Sequence, residues 1–150
     1  MKKINIIIKL TILLLIYTTT MNSMSINTEI KNQNSLAEQI YTRLVISSRI
    51  IEYTDKYIDS KKAQRSNIPD SIWQEVKNSI DYNVFKSKAI QILNNNLTSS
   101  QMQRIINESS NRPSIPIPTL KIKKEMYDLM PNFQKNIDST INQVLKNKGY

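Results

Sequence analysis

The stretch LKIKKEMYDLMPNFQKNIDSTINQVLKNKGY, residues 120–150, decides the fold. Ile122, Met126, Leu129, Phe133, Ile137, Ile141 and Val144 follow one another at intervals of three or four. That spacing puts all seven on one face of a helix, and such a face has to be buried against something. Pro131 falls inside the run. A proline there kinks or ends a helix, because it lacks an N–H and its ring meets the preceding turn. The apolar phase survives the proline, so the expectation is a kinked or closely rejoined helix. Lys146 and Lys148 near its end suit the negative pole of the helix dipole.

The same period recurs upstream. Leu36, Ile40, Leu44, Ser47, Ile51, Thr54 and Ile58 trace one face of a first helix, with Ser35 and Glu38 as its capping box. Residues 26–34 are polar and aperiodic and read as a flexible leader. The charged segment Ser60 to Asn67 reads as a linker. Ile68-Pro69-Asp70 opens a second helix through Ile72, Trp73, Val76, Ile80 and Val84. Its apolar phase then drifts to Phe85, Ala89, Ile92 and Leu93, which predicts curvature or a break near Phe85. Asn94, Asn95 and Asn96 end it. Thr98 and Gln101 form a capping box for a shorter helix whose inner face is Met102, Ile105 and Ile106.

Between that helix and the last one lies Arg112-Pro113-Ser114-Ile115-Pro116-Ile117-Pro118. Prolines this dense hold the chain extended, with Ile115 and Ile117 facing the helices. The chain has one glycine, Gly149, where a protein of many hairpins would want several. The fold class is therefore all-α, a bundle of four to five helices with a proline-rich extended connector. Residues 35–150 form a single helical domain, in which Trp73, the lone tryptophan, is expected to be a core anchor.

The N-terminus reads differently. Lys2 and Lys3 precede an apolar stretch from Ile4 to Tyr17, followed by Thr18, Thr19, Thr20 and a Ser23-Met24-Ser25 triplet. This is the tripartite pattern of a secretory signal peptide, residues 1–25, with cleavage after Ser25. The product is expected to be secreted or periplasmic. Cleavage removes Lys2, Lys3 and Lys9 and no acid, leaving 18 basic against 12 acidic residues, a net charge of +6. An exported chain without cysteine has neither a disulfide framework nor a thiol to carry a lipid.

Much chemistry is missing. Without histidine there is no imidazole base, proton shuttle or metal ligand. Without cysteine there is no thiolate, and with one glycine there is no phosphate-cradling loop. No catalytic, cofactor-binding or metal-binding residue is expected, and the chain reads as a non-enzyme. Glu52, Asp55 and Asp59 share one helix face and could in principle offer oxygen ligands to calcium. With Lys56 and Lys62 nearby they read instead as a solvated face. Tyr41, Tyr53 and Tyr57 read as the border of a helix–helix contact. Arg43, Arg49, Arg65, Arg104 and Arg112 are scattered without interleaved aromatics, so nucleic-acid binding has no specific signal. Asn96-Leu97-Thr98 and Asn107-Glu108-Ser109 match the glycosylation pattern, which a chain rich in asparagine meets by chance.

The order of Ile68-Pro69…Trp73, then Leu97-Thr98-Ser99-Ser100-Gln101-Met102, then a proline-containing turn and a final helix resembles the secreted bacterial helical proteins grouped as domain of unknown function 2059. The resemblance covers roughly residues 35–148, judged from element order. It implies a secreted helical module and supplies no catalytic residue, since that group has no assigned activity. The functional expectation is a secreted or periplasmic non-enzymatic helical interaction module, whose partner is an unknown protein or envelope component. The alternative is an envelope- or membrane-surface-associated protein, held by basic charge or by an uncleaved N-terminal anchor.

Overall fold

The computed structural model describes residues 26–150, and the signal-peptide expectation for residues 1–25 lies outside them. The described chain is all-helical apart from one isolated bridge. Its elements are α1 (26–43), α2 (Val45–Ala63), α3 (Asp70–Asn78), α4 (Asn83–Asn96), α5 (Ser99–Glu108), α6 (Leu120–Asp128) and α7 (Met130–Asn147).

Residues 26–34, read as a flexible leader, are helical and form the first part of α1. Tertiary contacts override the weak local pattern there. The Gln33 side chain donates to the Asn94 and Leu97 carbonyls at 3.1 and 3.2 Å, satisfying acceptors that the end of α4 leaves open. Just beyond, Leu36 and Ala37 are buried. Ser35 therefore sits inside a helix and caps nothing.

The first apolar face is also not continuous. Leu44 takes an extended conformation (φ −66°, ψ 137°) and separates α1 from α2. The break advances the phase, so α2 buries Ile46, Ile50, Thr54 and Ile58, while Ile51 is left 49% exposed. Thr54 is tolerated in the core because its hydroxyl donates to the Ile50 carbonyl at 2.7 Å.

Residues 79–82 separate α3 from α4, a few residues before the expected drift at Phe85. The Thr98–Gln101 capping box forms with both of its bonds. Leu129 joins α6 to α7 with near-helical angles (φ −75°, ψ −25°), and Pro131 lies in the first turn of α7, where its missing donor costs nothing. Gly149 adopts φ 82° and ends α7. The Tyr150 N–H bonds the Leu145 carbonyl and the Gly149 N–H bonds that of Lys146, a Schellman cap.

Helix α7 packs on α3, and α6 on α4, around one core. Trp73 is 1% exposed, in agreement with its reading as an anchor. Its indole N–H has no partner among the described residues. Phe133 meets Phe85 edge-on at 5.5 Å and Tyr82 at 6.2 Å, which closes the α4–α7 contact.

Candidate functional site: the groove between α5 and the proline segment

Residues 109–119 carry no helix, and they lie across the break between α1 and α2. The Ile115 N–H donates to the Arg43 carbonyl at 2.7 Å, and the Ile115 carbonyl accepts from the Val45 N–H at 3.3 Å. These two bonds form a parallel bridge between Ile115 and Leu44. It uses backbone groups that the break would otherwise leave unpaired. The Arg43 guanidinium adds a second attachment, donating to the Ser109 carbonyl and, at 2.9 Å, to the Arg112 carbonyl. The proline segment is thus pinned at both ends of one turn.

Pinning it there leaves a groove of about 360 Å³ against α5. Leu97 and Ile115, both buried, and the half-buried Ile105 form its floor. Pro116 and Pro118 line the opposite side and have no N–H to offer. Arg104, Glu108 and Arg112 stand exposed around it. Arg104 pairs loosely with Glu108 at 3.7 Å. Arg112 has no carboxylate partner among the described residues. Of the other polar side chains, Gln101 is engaged in the α5 capping box and Thr119 caps α6, accepting from the Ile122 N–H at 3.1 Å, while Ser109 also lines the groove. The groove therefore offers an apolar floor and a free guanidinium, a combination that suits binding an extended segment with a carboxylate.

The other sequence candidates lie elsewhere. Asp55 and Asp59 both pair with Lys77 of α3, at 3.5 and 2.9 Å, while Glu52 pairs with Lys56 on its own helix. The hydrogen bond to Asp59 leads the effects that raise the Lys77 ammonium above its ordinary pKa. The two aspartates thus tie α2 to α3. No cluster of three or more potential metal-ligating side chains occurs among the described residues.

Tyr53 and Tyr57 stack nearly parallel at 6.2 Å and point their hydroxyls at α7. Tyr53 donates to Gln134 at 3.1 Å and Tyr57 to Asp138 at 2.8 Å. Lys61 lies 5.0 Å over the Tyr57 ring and 3.7 Å from Asp138. Burial raises the Tyr53 phenol above its usual value, with Tyr57 and Asp138 adding to the effect. These tyrosines do border a helix contact, as read, but their hydroxyls are bonded across it. Tyr41 is separate from the pair and buried. In the first glycosylation match, the Asn96 amide is occupied by Glu125 at 2.7 Å.

In the sequence Arg112 is only one of several scattered bases. What makes it a site residue is the folding of that segment against α5, which no local pattern encodes.

No family model matches this chain, and neither does any curated protein or solved structure.

Proposed function

We propose that this protein is a secreted or periplasmic, non-enzymatic interaction module: a helical bundle whose proline-rich connector and α5 together hold a partner. The observation that carries this reading is the groove with the unpaired Arg112 guanidinium beside an apolar floor. Of its other polar side chains, Gln101 and Thr119 are committed to helix caps, which favours binding over chemistry. The N-terminal pattern of residues 1–25 and the absence of histidine and cysteine support the same reading. No described helix is long and apolar enough to cross a membrane.

The test compares the wild type with Arg112→Glu as immobilised baits in an extract of the native envelope. The side chain is exposed, so the substitution leaves the core alone and the melting temperatures should agree. A partner recovered in stoichiometric amount by the wild type and missing with Arg112→Glu is the expected result. Identical recovery on both baits overturns the groove as the binding site.

A further inference from the structure

Helix α6 presents a second surface, independent of the groove. Leu120, Lys123, Lys124 and Tyr127 are spaced three, four and seven apart, which sets them on one face. Ile122 and Met126, on the opposite face, are fully buried and fix the helix to the core. Leu120 is 84% exposed, more than any other large apolar side chain among the described residues, and Tyr127 is 52% exposed. A single exposed leucine means little. Here it shares a face with an exposed tyrosine and two lysines.

The charges on α6 are sorted by direction. Glu125 is turned inward, where it accepts from Asn96 of α4 at 2.7 Å and is only 35% exposed. Lys121 lies 3.7 Å from it, largely exposed. Lys123 has no carboxylate partner among the described residues, and its ammonium lies 6.0 Å from the centre of the Tyr127 ring. Lys124 pairs with Asp128 at 2.7 Å, but both are well exposed, and such i,i+4 pairs are weak. The solvent side of α6 therefore carries three lysines against one aspartate.

We propose that this face docks on an anionic lipid bilayer. Leu120 would enter the acyl boundary, Tyr127 would sit at headgroup depth, and the lysines would meet phosphates while their stems cover apolar surface. Charge complementarity selects this occupant. A second copy of the same face would set Lys123 and Lys124 against their own images. The net charge of +6 on residues 26–150 adds a long-range attraction to the same surface. One helix face of this size gives reversible attachment, not insertion.

The experiment is co-sedimentation of the full chain with phosphatidylglycerol-containing vesicles and with pure phosphatidylcholine vesicles, alongside binding to soluble polyglutamate. The variants are Leu120→Ser, the pair Lys123→Glu with Lys124→Glu, and Arg112→Glu. All alter exposed side chains and keep the N-terminal segment constant. The wild type should prefer the anionic vesicles. Leu120→Ser should weaken vesicle binding several-fold and leave polyglutamate binding unchanged. The double lysine variant should lose tenfold or more on both. Arg112→Glu should bind vesicles like the wild type, which separates this surface from the groove. Vesicle binding unaffected by Leu120→Ser, equal binding to the two lipids, or binding to polyglutamate without binding to vesicles would each overturn the proposal, the last in favour of an acidic protein.

Discussion

The chain bends at two leucines, and the bends are built differently. At Leu129 the backbone stays near helical values, the Phe133 N–H still reaches the Leu129 carbonyl at 3.0 Å, and the apolar phase runs on unbroken. At Leu44 the backbone is extended, the phase advances, and the adjoining N–H and carbonyl are completed by Ile115 from a distant part of the chain. The first bend is local, with Pro131 two residues on. The second contains neither proline nor glycine and is held by tertiary pairing. A bend held from outside can carry a binding element across it. This one carries the proline segment, and with it the groove.

The strongest challenge to this comparison is Phe133→Ala, below the Leu129 bend. Removing a buried phenylalanine costs about 3–5 kcal/mol, here including its contacts with Phe85 and Tyr82. Thermal melting should show a large loss of stability, with the proline segment resisting proteolysis until the whole domain unfolds. Ile115→Ala should cost about 2–5 kcal/mol, but with a different signature. Its side chain is 1% exposed and packs beneath the groove. Limited proteolysis should then cut within residues 109–119 well before cutting the helices. If cleavage at this segment were no faster than in Phe133→Ala, the second bend would not depend on Ile115.

Alkali probes what holds the two lower arms, α2 and α7, to each other and to α3. The Tyr53 phenol and the Lys77 ammonium both have pKa values raised in the folded protein, the first by burial and the second chiefly by its bond to Asp59. A raised value means that the folded state holds its proton more tightly. The stability linked to these groups is therefore complete below their ordinary values near pH 10 and is lost as the pH rises through the folded values. Melting temperature should fall above about pH 10, and replacing Tyr53 with phenylalanine should make that fall shallower. Pro131→Ala is expected to have the smallest effect, under about 1 kcal/mol, since the proline occupies the first turn of α7 where no bond is lost. A large loss of stability would show that the proline sets the bend at Leu129.

Legibility in the sequence follows the same division. The apolar face from Ile122 to Val144 was readable across its bend because a local kink leaves spacing intact. The Thr98–Gln101 cap, the stop at Asn94–Asn96 and the burial of Trp73 were readable because each rests on neighbouring residues. The break at Leu44 was not, and seven residues at good helical spacing spoke for one continuous face. Ile51 was assigned to the core and Ile46 and Ile50 were not, as follows from missing a phase shift. Residues 26–34 misled for a related reason, since Gln33 is held by carbonyls of α4 and not by its own sequence neighbours. The groove was half readable: prolines announce an extended segment, but not the helix against which it lies.

The two bends also differ in when they can form. The Leu129 bend is complete as soon as its own helix is made. The Arg43 bonds to Ser109 and Arg112 span 66 and 69 residues, so the elbow at Leu44 waits for the chain beyond α5. At ~5–20 residues per second of synthesis that wait is roughly 3–14 s. Joining such distant points also costs about 4 kcal/mol of chain entropy before the contact stabilises anything. During that interval Leu44 and the backbone beside it have no mate. A chain that meets a helper protein in this window presents an unfinished elbow, and the arrival of Ile115 marks its closing.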